Sequence, residues 1–330
     1  MNTGKYQSES LSSTMTVCNA SQNQNIGFFL NGFPGLNEMQ HWLLIPFFIM
    51  FLVASAGNIL VLLVIVKEHH LHEPMYYFIS ILSSVDLVTD IILLPQALVV
   101  LWFGSYPVHL DACLVQMFCI CFAIIMESSV LVLMAYDRYI AVCKPLRYAS
   151  IVTNEFVFKG TLLAAVRSIC AVLPIPILAR TLPYYTTTIV YNVYCEYLAV
   201  INVACAHNVM SNSYFFILLV LGGLPDAALV GLSYYMIITT ALKLKSREAQ
   251  RKLLSTCSSH ALVIATFCLL GMLSFILLFV EDKMPAYIRV LFSFLFISLP
   301  PALNPLIYGI KTKEIWSAII KTFNKFVKYL

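Results

Sequence analysis

Four carboxylic acids lie inside long apolar stretches of the chain: Asp86, Asp90, Glu127 and Asp226. If such stretches cross a bilayer, an isolated carboxylate at the bilayer centre costs about 2.5–3.5 kcal/mol on insertion scales. Acids in that position are therefore candidates for function, provided that they face the interior of a helix bundle.

Two of these acids can share one site. Asp86 and Glu127, together with Asn58, Ser128 and Asn304, are predicted to line a hydrated pocket between apolar stretches. Oxygen ligands of this kind suit a hard cation such as sodium. The alternative is structural, with protonated acids that hold the helices together through hydrogen bonds. The residue types leave both interpretations open.

Other residues are typical of a conformational switch. Asp137 places an acid beside Arg138 at the end of an apolar stretch, so the acid can hold the guanidinium in one state and release it in another. Near the end of the last apolar stretch, Pro305 weakens the helix, and Asn304 and Tyr308 can form new contacts when it bends.

Two further patterns are weak evidence for catalysis, and the common catalytic motifs are absent from the sequence. His69, His70 and His72 fall in a short charged segment, where a solvated loop is a better interpretation than a metal site of fixed geometry. The aspartate pairs of intramembrane proteases need a glycine where Pro225 stands before Asp226. The sequence contains no phosphate-binding glycine loop and no nucleophile elbow. We therefore predict that the chain is not an enzyme and has no cofactor beyond the candidate sodium ion.

The composition indicates which solvent surrounds the chain. Of 330 residues, 60% are hydrophobic and 11% are charged, and the mean hydropathy is +0.86. A soluble domain is about 45–50% apolar and about 25% charged. A soluble fold of this length could not bury so much apolar surface, so the surrounding solvent must be lipid. This excludes a soluble enzyme, a disordered chain and a nucleic-acid binder.

Seven apolar runs are long enough to cross a bilayer as helices. They cover residues 43–66, 75–101, 113–142, 159–179, 212–242, 253–280 and 286–310. Residues 311–330 have one apolar face bordered by lysines, which is typical of a helix lying in the membrane interface. The prediction is an all-α membrane protein with an outer tail (1–42), a seven-transmembrane helix bundle (43–310) and a short C-terminal amphipathic helix (311–330).

The positive charges predict the orientation. Lysine and arginine concentrate in the first, third and fifth segments between spans and in the C-terminal tail. That side is cytoplasmic by the positive-inside rule, which places the N-terminus outside and the C-terminus inside. The N-terminal tail lacks the apolar region of a cleavable signal peptide. Asn19 begins a glycosylation sequon on the outer side.

Four of the ten cysteines lie on the oxidising outer side: Cys18, Cys113, Cys195 and Cys205. A bridge between Cys113, at the start of the third span, and Cys195, in the long outer loop, would pin that loop over the bundle. Four cysteines allow three pairings, and the spacing does not choose among them. The other six are expected to be reduced, mostly buried side chains.

Longer strings carry a family resemblance. MAYDRYIAVCKPLRY (134–148) and NPLIY (304–308) resemble rhodopsin-like G-protein-coupled receptors. LHEPMYYF (71–78), KLLSTCSSH (252–260) and PPALNPLIYG (300–309) are similar to olfactory receptors. YCEYLAVINVAC (194–205) and MESS (126–129) resemble their fish-like class I branch. Together with Gly57-Asn58 in the first span and Ser233-Tyr234 in the fifth, these strings extend over nearly the whole chain, from about residue 57 to residue 313.

The resemblance implies roles for particular residues. It implies a Cys113–Cys195 disulfide and an inner cation site at Asp86 and Glu127. The residues implied for G-protein coupling and switching are Asp137, Arg138, Tyr139, Tyr234, Asn304, Pro305 and Tyr308. The ligand pocket is implied between the third, fifth and sixth spans, at Ile120, Cys121, Ile124, Ile125, Leu198, Phe275 and Phe279.

Two departures from the family pattern carry predictions. Tyr184 and Tyr185 stand in the region where relatives have another outer-loop cysteine, so Cys205 lacks its usual partner and we predict a Cys18–Cys205 bridge. Phe279 stands where acid-sensing relatives have a basic residue, so we expect neutral ligands rather than carboxylic acids.

The expected function is that of an odorant receptor. Its expected partners are a small organic ligand bound within the bundle, a stimulatory olfactory-type G protein that raises cAMP, and membrane lipid, with no nucleic acid. A non-olfactory chemosensory receptor of the same fold is the near alternative. A secondary transporter also places acids at mid-membrane, but the internal repeats and broken helix pairs typical of transporters are not found in the sequence.

Overall fold

Seven membrane-spanning helices dominate the computed structural model, which describes residues 27–185, 187–205, 209–280 and 284–329. This confirms the predicted seven-helix architecture, with span ends that differ by a few residues from those expected. Helices are needed because lipid offers no hydrogen-bond partner to the backbone. The spans are Met39–Lys67, Pro74–Phe103, Leu110–Cys143, Asn154–Arg180, Ser213–Leu242, Cys257–Leu277 and Ala286–Lys311.

Twelve α-helices occur in the described part of the chain, and some spans contain more than one. They are α1 (Leu44–Lys67), α2 (Pro74–Phe103), α3 (Leu110–Cys143), α4 (Tyr148–Ile151), α5 (Asn154–Val172), α6 (Pro174–Arg180), α7 (Tyr197–Asn202), α8 (Val209–Leu218), α9 (Leu224–Leu242), α10 (Arg247–Phe279), α11 (Ala286–Lys311) and α12 (Lys313–Tyr329). A π-helical turn, Leu219–Gly223, joins α8 to α9 within the fifth span. Short 3-10 turns cover Asn37–Leu43, His69–Leu71 and Pro145–Arg147.

Gly57 and Asn58 of α1 compensate for a proline in α11. Pro305 has no N–H, so the carbonyl of Pro301 one turn earlier loses its intrahelical donor. Asn58 Nδ2 donates to that carbonyl at 2.8 Å and to the Ala54 carbonyl at 2.9 Å. Gly57 allows the close approach, because a Cβ there would lie 2.8 Å from Cβ and Cγ of Pro305. The Gly-Asn pair thus stabilises the contact between the first and seventh spans.

A small sheet, which was not predicted from the sequence, lies at the end of the bundle that the positive-inside rule predicts to be the outer one. It comprises β1 (Gly27–Leu30), β2 (Tyr106–His109) and β3 (Thr187–Val190), in the order β2-β1-β3. Strand β1 pairs antiparallel with β2 and parallel with β3. The segment that precedes the first span is therefore hydrogen-bonded to two outer loops. Four-residue strands from distant segments leave too short a pattern to be recognised.

A disulfide bond also attaches the outer loop to the start of α3. Cys113 and Cys195 form the expected disulfide, with Cα atoms 5.4 Å apart. Tyr184 in the same loop is fully buried. Its ring meets the Phe28 ring edge-on with the ring centroids 5.2 Å apart, and its hydroxyl donates to the Ala179 carbonyl at 2.9 Å. Burial raises the pKa of the Tyr184 hydroxyl, so the group remains a neutral donor.

The apolar core consists of two clusters, one in each half of the bundle. The outer cluster joins β1, the outer loop and the outer parts of α2, α3 and α11. The inner cluster joins the opposite ends of α1, α2 and α3 to α12 through Ile315 and Ala318. Helix α12 is the expected amphipathic C-terminal helix, and Lys321 on it pairs with Glu68 at 2.7 Å.

Candidate functional site

Three of the side chains predicted for a cation site lie together in the bundle core. Asn304 Nδ2 on α11 donates to Asp86 Oδ2 on α2 at 2.9 Å. Glu127 on α3 is close enough to interact with both residues. Asn58 is also fully buried, but its amide nitrogen is bonded to the Ala54 and Pro301 carbonyls described above.

Among the described residues, Asp86 Oδ1 and Glu127 Oε1 of this cluster have no hydrogen-bond partner, and neither has Asn58 Oδ1. An unpaired buried oxygen is costly, and a hard cation with oxygen ligands would satisfy such groups. Among the residues that the structure describes, no group of three or more His, Cys, Asp or Glu side chains is placed to hold a metal ion. A sodium site would therefore depend on two carboxylates and on amide oxygens.

Ser128 does not join this cluster, contrary to the sequence-based prediction. Its hydroxyl donates to Asp226 Oδ2 at 2.7 Å. Successive helical residues point about 100° apart, so Ser128 faces the fifth span when Glu127 faces the second and seventh.

Ser128 belongs instead to an ion-pair network that the sequence reasoning missed. Arg167 of α5 binds both oxygens of Asp226, at 2.9 and 3.0 Å. It also donates to Ser129 Oγ at 3.0 Å and to the Gly222 carbonyl in the π-helical turn at 3.1 Å. The sequence did contain a signal for this ion pair, because an acid and a base each lie inside an apolar span. The packing of the fourth span beside the fifth decided that these two residues pair.

Two of the predicted switch residues, Asp137 and Arg138, are in contact at the lysine-rich end of the bundle. Arg138 approaches Asp137 Oδ2 through Nε at 2.8 Å and Nη2 at 2.7 Å, and Asp137 is fully buried. Tyr148 donates to Asp137 Oδ1 at 2.8 Å. Burial and, after it, the charge of Asp137 raise the pKa of Tyr148, so this tyrosine stays a donor. Tyr139 points elsewhere, with Lys144 Nζ lying 5.6 Å from its ring centre.

The other switch residues lie deeper. Tyr234 of α9 and His260 Nδ1 of α10 are hydrogen-bonded at 2.9 Å, which joins the fifth and sixth spans. Arg138 interacts electrostatically with His260. Tyr308 of α11 is buried in the inner cluster, and its hydroxyl has no hydrogen-bond partner among the described residues. Pro305 lies against Gly57, as described above.

Five of the predicted ligand-pocket residues belong to the outer apolar cluster: Ile120, Cys121, Ile124, Ile125 and Leu198. The four on α3 recur at one helical face, and Leu198 comes from the outer loop. Phe275 of α10 is half-buried and lies outside that cluster. The side chain of Phe279 lies outside the described residues, as do Cys18 and Asn19. Cys205 is disulfide-bonded, and its pairing with Cys18 stays a prediction.

A carboxylate in the outer loop lies next to these apolar residues and was not singled out from the sequence. Glu196 Oε1 accepts a hydrogen bond from Ser293 at 2.8 Å, and Oε2 accepts one from Asn192 at 2.7 Å. Burial raises the pKa of Glu196, while Ser293, then the charge of Arg289, then Asn192 oppose that rise. By contrast, Arg180 is paired with Asp111 at 2.6 Å on the exposed outer surface.

The seven-helix bundle, the disulfide between third span and outer loop, and the Asp137–Arg138 contact define a rhodopsin-like G-protein-coupled receptor. Squid rhodopsin has a similar fold, with a TM-score of 0.69 at 15% identity over 88% of this chain and 87% of that one.

The chain belongs to the olfactory receptor family. A family model described as "Olfactory receptor" matches residues 47–325. Human olfactory receptor 52H1 is 36% identical over 94% of this chain and 99% of its own length. Human olfactory receptor 52N2 is 37% identical over 89% of this chain and 92% of its own length. The chain is therefore a multi-pass membrane receptor and not an enzyme.

Proposed function

We propose that this chain is an odorant receptor of the plasma membrane that activates a stimulatory olfactory-type G protein and raises cAMP. The observation that carries the proposal is the contact of Arg138 with Asp137, itself held by Tyr148, at the lysine-rich end of the bundle. The lysines favour a cytoplasmic position for that end. A ligand that prefers the state in which Arg138 is released shifts the population towards coupling.

The ligand is proposed to bind in the outer half of the bundle and to be mostly apolar. Ile120, Ile124, Ile125 and Leu198 offer aliphatic contact, and the exposed Arg180 is already paired outside. A carboxylate buried among such side chains loses its hydration without compensation. A neutral ketone, ester or alcohol of medium chain length loses little hydration and gains contact area.

The buried group of Asp86, Glu127 and Asn304 is proposed to bind sodium. Asp86 and Glu127 supply the charge, and the unpartnered oxygens of both residues and of Asn58 are the candidate ligands. Ser128 is not included, because its hydroxyl is committed to Asp226.

The test is a cAMP reporter cell that expresses a stimulatory olfactory G protein, screened with volatile ligands. Arg138→Ala should abolish the ligand-dependent cAMP rise and leave surface expression largely unchanged. The matched control is Lys159→Ala, which removes an exposed cation on the same side that pairs with Glu155 and should leave the response intact. A normal response from Arg138→Ala, or a wild-type response that persists without the G protein, would refute the proposal.

A further inference from the structure

The carboxyl group of Glu196 reaches from the outer loop into the bundle. Its partner Ser293 is seven residues beyond the start of α11 at Ala286, which is about 10 Å along the helix. Cys121 is eleven residues beyond the start of α3 at Leu110, about 16 Å along that helix, and it interacts electrostatically with Glu196. The carboxyl group thus lies between the third and seventh spans, beside a residue of the proposed pocket.

The hydrogen bonds around Glu196 all run towards its oxygens. Ser293 donates to Oε1, so the 2.7 Å contact between Tyr194 and Ser293 has the tyrosine as donor. Asn192 donates to Oε2. A carboxylate oxygen has two acceptor positions. As far as the described residues are concerned, each oxygen of Glu196 therefore keeps one acceptor position after these bonds.

Glu196 also borders accessible space. Its neighbours Asn192, Tyr194 and Cys195 are at most 2% exposed, whereas Glu196 itself keeps accessible surface. The combination of remaining acceptor positions, accessible surface and depth within the bundle is that expected of a group that can meet a ligand.

The negative charge of Glu196 favours some ligand head groups over others. Arg289 interacts attractively with Glu196, so the nearby positive charge already has a carboxylate partner. A ligand carboxylate placed here would meet a like charge, whereas a donor would form a charge-assisted hydrogen bond.

Resting on the proposed odorant-receptor function, we propose that Glu196 is the polar recognition residue of the pocket. It selects ligands whose apolar chain ends in a hydrogen-bond-donating head group, with a hydroxyl as the neutral form and an ammonium as the charged form.

The first experiment needs no variant. Straight chains from butyl to dodecyl, each ending in turn in a primary alcohol, a primary amine, a methyl ketone or a carboxylate, are compared at the wild-type receptor. Two readouts are taken, cAMP in cells and thermal stabilisation of the purified receptor. The alcohol or the amine should be the most potent of the four at each active chain length. A ketone or carboxylate of equal or greater potency overturns the proposal.

The second experiment uses Glu196→Gln, with Asp111→Asn as the matched acid-to-amide control on the exposed outer surface. Loss of a hydrogen bond to a charged group should reduce alcohol or amine potency at least about tenfold. Carboxylate potency should stay the same or rise, and Asp111→Asn should keep the wild-type ranking. An equal loss for all four head groups means that Glu196 only holds the loop, which refutes the proposal.

The two readouts separate this inference from the proposed function. Head-group selectivity in thermal stabilisation without a cAMP response supports the pocket chemistry and contradicts the signalling function. A G-protein-dependent cAMP response without head-group selectivity supports the signalling function and contradicts the proposed role of Glu196.

Discussion

Breaking the ion pair between Arg167 and Asp226 should destabilise the receptor more than removing both charges. Asp226 accepts hydrogen bonds from Ser128 at 2.7 Å and from Arg167 Nη2 at 3.0 Å. Its other oxygen lies 2.9 Å from Arg167 Nη1 in an ion pair, and its side chain is 9% exposed. Removing one partner of a buried pair leaves an uncompensated charge, which costs about 3–5 kcal/mol. Because the Arg167 side chain is 35% exposed, we expect the lower end, about 3 kcal/mol, for Asp226→Leu.

The double variant Arg167→Met with Asp226→Leu should recover part of that loss. Apolar replacement of a buried ion pair is often neutral or stabilising. Ser129 keeps its hydrogen bond to the Ile125 carbonyl at 2.7 Å, whereas the Gly222 carbonyl loses its side-chain donor. We therefore expect incomplete recovery, with a coupling energy of about 2 kcal/mol between the two positions.

The measurement is a double-mutant cycle on thermal unfolding of the purified receptor at one fixed scan rate. The control cycle uses Glu155 and Lys159, whose contact at 2.6 Å is about three-quarters exposed on both sides. This control should show a coupling of no more than about 0.5 kcal/mol. Additive losses at Arg167 and Asp226 would refute the reasoning, because independent residues do not form a pair.

Three further predictions concern other parts of the bundle. Glu127→Gln should remove the sodium dependence of the ligand response. A variant with unchanged sodium sensitivity would favour the account in which hydrogen-bonded acids hold the helices together. Peptide mapping without reduction should recover Cys18 linked to Cys205, and a free Cys18 thiol would contradict that pairing. Gly57→Ala should lower the unfolding midpoint, since its Cβ would lie 2.8 Å from the ring of the facing proline and such overpacking costs about 1–3 kcal/mol. Gly231→Ala, with nothing within 4 Å of its Cβ, should not lower the midpoint, and equal losses at both glycines would argue against a packing cause.

The membrane-spanning architecture could be predicted because it depends on local properties of the sequence. An apolar run of about 20 residues must form a helix in lipid, where the backbone has no other hydrogen-bond partner. The seven spans were therefore recognised, and only their ends moved by a few residues. The Asp137–Arg138 contact was also predictable, because the long arginine side chain can reach the carboxylate of its neighbour despite the rotation of about 100° per helical residue.

Contacts between distant segments could not be predicted in the same way. Ser128 was assigned to the cation cluster from its position beside Glu127, but the rotation of about 100° per helical residue turned it towards Asp226 instead. A span sequence predicts that a buried charge needs a partner but does not say which helix supplies it. The packing of the fourth span against the third and fifth decided that Arg167 is the partner of Asp226.

The sequence by itself determined the solvent, the number of spans, the candidate switch and the family to which the chain is similar. Only the tertiary structure decided that Glu196, a loop residue by sequence, lies within reach of Ser293 and Cys121 inside the bundle. The physical reason is that the loop's path depends on the disulfide to Cys113, on the pairing of β3 with β1 and on the burial of Tyr184. Each of these contacts joins segments far apart in the sequence, so no local sequence pattern predicts where the side chains of the loop lie in the bundle.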